Sequence, residues 1–170
     1  MPNEQQPPYR VAILTISDRS SAGVRPDGSG PAVWVLVEAA LPATLITTAI
    51  VPDEIAAITA TLSQWADDST ADLILTTGGT GLAPRDVTPE ATRQVIEREV
   101  PGIPEAMRVA SLAITPFGML SRMVAGTRGR SLIINLPGSP KAVRENLAVI
   151  LPVLPHALDK LRGDPDDCVV

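Results

Sequence analysis

Asp72-Leu-Ile-Leu-Thr76, a short apolar run, leads directly into Thr77-Gly-Gly-Thr-Gly81, and Pro89 follows where a helix can begin. A buried strand that ends in glycines and restarts as a helix is the unit from which parallel sheets are built. Glycines at 78, 79 and 81 permit positive φ and bring bare backbone N–H groups close to a ligand, and a following helix N-terminus adds partial positive charge. The segment from 76 to 92 therefore reads as an anion-binding loop.

The rest of the chain repeats the same alternation. Val11–Ile16 and Leu45–Val51 read as strands, and 31–41 as a helix opened by Gly30-Pro31. Ile55, Ile58, Leu62 and Trp65 lie on one face of a helix. Helices are expected over 89–99 and 104–113. Residues 115–129 have weak periodicity and read as loop or short hairpin. Ser131–Asn135 is a further strand, Ser139-Pro140 opens a helix with Ser as N-cap, and Pro152 interrupts it before a last helix to about Leu161. The fold class is α/β: a Rossmann-like three-layer sandwich with a mostly parallel sheet, helices on both faces and ligands at the carboxyl ends of the strands. Residues 9–162 form the single domain, with flexible tails at 1–8 and 163–170.

Composition excludes several functions. With 45% hydrophobic residues in 170, a packed core is available. Tyr9, Trp34, Trp65 and Phe117 are the only aromatics, and the formal charge is −5. Nucleic acid is therefore not the expected partner, since it requires stacking platforms or a broad basic face. No apolar run reaches the length of a membrane span, and residues 1–8 lack the apolar core of a signal peptide. Cys168 is the sole cysteine, so no internal disulfide forms, and a cytoplasmic protein fits.

The glycine loop also fails the two commonest nucleotide templates. A P-loop requires lysine, and the first lysine in the chain is Lys141. The dinucleotide fingerprint requires a third glycine where Pro84 stands. Charge is uneven downstream: no Asp or Glu occurs from Ala106 to Arg144, while Arg108, Arg122, Arg128, Arg130, Lys141 and Arg144 are basic. Such a stretch suggests an electropositive wall for a second anionic ligand.

Six ordered blocks carry a resemblance. They are Ser17-Asp-Arg19 with Asp27-Gly-Ser-Gly30, Val51-Pro-Asp-Glu54, Thr76 to Thr92, Pro101-Gly-Ile-Pro-Glu-Ala-Met107, Met119-Leu-Ser-Arg122 and Leu136-Pro-Gly-Ser-Pro140. In these the chain resembles the MogA/MoaB-like molybdenum cofactor biosynthesis proteins, which include the gephyrin-type G domain. The resemblance implies Mg²⁺-dependent adenylylation of molybdopterin by ATP, with release of pyrophosphate. It also implies a homotrimer, and a MoeA-like metal-insertion protein as downstream partner. MoaB-like molybdopterin binding with little adenylyl transfer, and a scaffold role, are the alternatives it leaves.

By the same resemblance Asp53 and Asp86 are the catalytic carboxylates and Mg²⁺ ligands. Gly78, Gly79, Thr80 and Gly81 hold phosphate or nucleotide through main-chain N–H groups, Pro137, Gly138 and Ser139 form the neighbouring wall near adenine, and Ser17 and Asp18, at the end of the first strand, belong to the same nucleotide cleft. Ser121 and Arg122 face the pterin. Simpler roles exist for several: Asp53 as N-cap of the helix that follows, Asp86 in an Asx-type turn, Ser139 as N-cap, Thr88 as a helix cap.

Overall fold

The computed structural model describes residues 7–68 and 71–165. Both outer tails, and Cys168 with them, lie largely or wholly outside these residues. Six strands form one sheet in the order β2-β1-β3-β6-β5-β4, where β1 is Tyr9–Ile16, β2 Ala43–Val51, β3 Leu73–Thr77, β4 Arg98–Glu99, β5 Ala125–Arg128 and β6 Ser131–Leu136. The first four in that order are mutually parallel, and β5 and β4 are added antiparallel at one edge.

A single helical turn, α1 (Asp18–Ser21), follows β1, and strand alternation divides the core in two. Val11 and Ile13 of β1 pack on one face against helices α2 (Ser29–Ala40), α5 (Gly102–Leu112), α6 (Pro140–Ile150) and α7 (Leu154–Arg162). Ala12, Leu14 and Ile16 pack on the other, against α3 (Ile55–Asp67) and α4 (Thr88–Val95). The expected three layers are present. No helix among the described residues is long and apolar enough to cross a membrane.

Register places the functional end. Thr15 lies beside Thr77, Ile16 beside Val51, and Thr77 beside Leu136, so four parallel strands finish in a row. After β1 the chain leaves toward the α2 face and after β3 toward the α4 face. The crevice between those diverging loops is where open α/β sheets hold ligands.

Two local expectations are corrected. The helix expected to reach Glu99 ends at Val95: Ile96 turns extended, and Arg98–Glu99 pair with β5. Gly126 permits this, because a Cβ there would lie 2.6 Å from Arg98 O and 2.7 Å from Ile96 Cδ1. Close strand approach overrides the helix propensity of 94–99. Within 115–129 the hairpin reading holds for β5, which pairs with β6, while Pro116–Leu120 form a 3₁₀ turn.

Candidate functional site

A cleft of about 510 Å³ opens at the carboxyl ends of β1, β2 and β3. Among its walls are Ser17, Asp53, Gly78, Gly79, Asp86, Gly138 and Ser139, brought together from four separate loops. The volume falls in the range of small-molecule sites.

The glycine segment forms the floor. Gly78 adopts φ +101° and Gly79 φ +65°, and a Cβ on Gly78 would lie 2.3 Å from Ile16 O. No other residue fits without moving β1. The Gly78 N–H is not directed at a ligand, as the sequence suggested; it donates to Leu136 O at 3.2 Å and extends the sheet ladder by one bond. Among the described residues, no acceptor engages the N–H groups of Gly79, Thr80 or Gly81. Of the three residues Gly79 lines the cleft, where its N–H is a donor for an anion.

Thr88 does not cap α4. Its hydroxyl is buried and donates to Gly78 O at 2.8 Å, while its N–H donates to Gly79 O at 3.1 Å, so it latches the floor to the helix. Arg122 clasps the same loop from downstream: its N–H donates to Thr80 O at 2.9 Å, its Nε to Gly81 O at 2.7 Å, and its remaining nitrogens to Asp86 O and Glu90 Oε1.

The two aspartates differ in setting. Asp53 is half-buried and does not cap α3, whose N-cap position is Glu54. Burial pushes its carboxyl up and the nearby charges of Asp18 and Asp86 add to this, against the opposing donation from Asp18 N–H and the charge on Arg85. Asp86 closes a backward turn, its Oδ2 accepting from Ala83 N–H at 2.9 Å. Both press on the floor: a Cβ on Gly79 would sit 3.0 Å from Asp53 Oδ1, and one on Gly81 2.8 Å from Asp86 Oδ2.

Among the described residues no cluster of three or more His, Cys, Asp or Glu is arranged to hold a metal. Mg²⁺ needs no such cage, since it is commonly held by one or two carboxylates together with substrate phosphates. Two oxygen-donor carboxylates facing one cleft fit that mode. They do not fit a soft transition metal.

Several expected residues stand back from the cleft. Asp18 does not line it; the Arg85 guanidinium and the Asp53 N–H hold its carboxyl below the usual range. Thr80, Gly81 and Arg122 belong to the clasped arm of the loop, and Pro137 O accepts from Thr77 Oγ1 at 2.7 Å. Ser121 Oγ is buried with no hydrogen-bond partner among the described residues. The basic stretch forms no wall here: Arg108 donates to Met123 O, Arg128 pairs with Asp67, and Lys141 lies near Glu145.

The cleft's cation is instead Arg25, which sits just ahead of the Asp27-Gly-Ser-Gly30 block. Its loop is fixed by Asp27. The Asp27 Oδ2 accepts from Thr15 Oγ1 at 2.6 Å, and its Oδ1 from Ser29 N–H, Ser29 Oγ and Gly30 N–H at 3.0–3.1 Å. Burial pushes the Asp27 carboxyl up, and these four donors outweigh it to leave it lowered. Asp-Gly-Ser-Gly at 27–30 is the available sequence signal: an acid before small residues and a helix is a capping pattern.

A family model described as "Probable molybdopterin binding domain" matches residues 12–156. The chain belongs to that family. The chain is 45% identical over 155 residues to the molybdopterin adenylyltransferase of Helicobacter pylori strain J99, covering 91% of this chain and 88% of that protein. It is 47% identical to Dictyostelium discoideum gephyrin over 91% of its own length, but spans only 23% of that longer protein. The crystal structure of the molybdopterin biosynthesis enzyme MoaB from Thermus thermophilus superimposes with TM-score 0.87 at 53% identity, covering 92% of this chain and 98% of that one.

Proposed function

We propose that this chain is a molybdopterin adenylyltransferase. The observation that carries the reading is that Asp53 abuts Gly79 and Asp86 abuts Gly81, in a cleft sized for a nucleotide. Relatives bearing that activity by name, at about 45% identity over nine-tenths of the chain, support it.

The terminal phosphate of molybdopterin is already ionised near neutral pH and attacks the α-phosphorus of ATP. One P–O bond forms to the pterin phosphate, the α–β bridging P–O bond breaks, and its electron pair leaves on pyrophosphate. No protein base is needed, so the tasks left to the chain are alignment of two anions and stabilisation of the departing charge. The Gly79 N–H and the N-terminus of α6 at Ser139 hold phosphate oxygens. Arg25 is placed to meet charge at the mouth. Asp53 and Asp86 orient the nucleotide, and Mg²⁺ bound with it supplies neutralisation of the phosphate charge. Ser121, with an unused buried hydroxyl, is assigned to the pterin.

A homotrimer in the cytoplasm, handing its product to a MoeA-like protein, completes the proposal. Exposed Val35 on α2 and exposed Ile46 and Ile50 on the edge strand β2 offer apolar surface for a second subunit. A second reading is MoaB-like pterin binding without transfer; the 53% identity to the Thermus MoaB supports only its MoaB-like part. Incubation with molybdopterin, ATP and Mg²⁺ separates them: adenylylated pterin and pyrophosphate are expected, and pterin binding without product supports the second reading.

A further inference from the structure

Asp18 and Asp53 exchange hydrogen bonds between side chain and backbone. Asp18 N–H donates to Asp53 Oδ2 at 2.8 Å, and Asp53 N–H returns one to Asp18 Oδ1 at 3.0 Å. The loop after β1 is thereby locked to the loop after β2. Arg85 then reaches over from the loop after β3, giving Nε to Asp18 Oδ2 at 2.9 Å and Nη2 to Asp18 Oδ1 at 2.7 Å, with Glu54 Oε1 at 3.9 Å. Arg85 cannot move independently of Asp86. It lies within the turn closed by Asp86 N–H to Ala83 O at 2.8 Å and by Ala83 N–H to Asp86 Oδ2 at 2.9 Å.

Neither Asp18 nor Arg85 lines the cleft, whereas Asp53 and Asp86 both do. We propose that Asp18 and Arg85 are positioning residues, a clamp across three loops that sets the separation of Asp53 and Asp86. Two like charges facing one cleft repel and, untethered, drift apart. An ion pair as exposed as Arg85 with Asp18 adds little to stability, yet its two-pronged geometry fixes orientation. Position is what this pair supplies. The inference rests on the adenylyl-transfer reading for its kinetic consequence, but not for its geometry.

The test uses the full chain with Arg85→Gln, Asp18→Asn and the double variant. Each single change is expected to lower kcat about tenfold, with KM for molybdopterin within about twofold and the melting temperature almost unmoved. The double variant is expected to be no slower than either single one, because both remove the same clamp. Losses that multiply to about 100-fold overturn the clamp and make Arg85 a direct phosphate contact; normal kcat in the single variants overturns it too. Arg85→Lys, a point charge lacking the fork, is expected to recover only part of the loss.

An independent readout needs no activity. Backbone amide exchange at Asp18 and Asp53 is expected to quicken at least tenfold in Arg85→Gln while β1 and β3 amides stay protected. Unchanged exchange overturns the clamp whatever the enzyme does. A parent chain that makes no adenylylated pterin, yet shows the exchange effect, overturns the functional reading and leaves the clamp standing.

Discussion

Asp72 at the amino end of the sheet is buried and Asp53 at the carboxyl end half-buried, and their surroundings treat them oppositely. Asp72 is 3% exposed and accepts from Arg10 N–H, Nε and Nη2 at 2.8–3.2 Å and from Arg162 Nη2 at 2.9 Å. Burial raises its carboxyl, and the two guanidiniums outweigh that to hold it well below the carboxylate range. Arg162 also stacks 4.7 Å over the Tyr9 ring, and Tyr9 OH donates to Asp159 Oδ1 at 2.9 Å. Burial, then that bond to a carboxylate, pushes the phenol up to about 12. At the other end Asp53 receives one backbone N–H and two unfavourable carboxylate neighbours. One end neutralises its buried carboxylate with two guanidiniums; the other sets Asp53 beside two further carboxylates.

The largest expected effect lies at the paired end. Asp72→Ala removes the buried carboxylate that two guanidiniums share and is expected to cost about 3 kcal/mol, read as a lower urea midpoint at neutral pH. Asp86→Ala should leave that midpoint nearly unchanged while raising the barrier by about 2 kcal/mol, roughly 30-fold in turnover. Near-normal turnover removes Asp86 from the mechanism. Thr88→Val deletes the buried latch to Gly78 O and is expected to cost about 1 kcal/mol in unfolding experiments.

The smallest effect is the most telling about the contrast. In chelator, Asp53→Asn should melt at or slightly above the parent temperature, whereas Asp72→Asn melts below it. The signs follow from linkage. Asp72 has a folded value below its unfolded one, so its stabilisation is complete above the ordinary carboxylate range near pH 4 and is lost as pH falls through the folded value. Asp53 has a raised value, so stability associated with its proton is present below the unfolded value and lost as pH rises through the folded one. A stability titration from about pH 7 down to about pH 3 should therefore flatten in Asp72→Asn and steepen its decline in Asp53→Asn.

The buried strands β1, β3 and β6 are legible in sequence because each is a continuous apolar run. The glycine floor is legible because positive φ demands glycine. Asp53 and Asp86 come from the resemblance, and the folded chain adds that they share a cleft. The edge is harder to see. β4 is two exposed residues inside a helix-forming stretch, and β5 carries Gly126, whose purpose is visible only against Ile96 and Arg98. Thr88 reads as a cap and Arg122 as a pterin contact, and neither these nor Arg85 shows its loop-holding part, since a side chain that holds a loop leaves no periodicity behind. Arg25 escapes a sequence reading because its place depends on Asp27 folding back onto Thr15, a contact across 12 positions that no local pattern encodes.

Thr77 Oγ1 donates to Pro137 O across 60 positions, beside the bond from Gly78 N–H to Leu136 O. The consequence concerns order in time. A chain emerging from its ribosome has β1, β2, β3 and both aspartates long before it has β6, yet until β6 docks the glycine segment has no backing and the α6 wall is absent. The cleft is thus completed by one of the last long-range contacts, and an incomplete chain carries both aspartates without the wall they face.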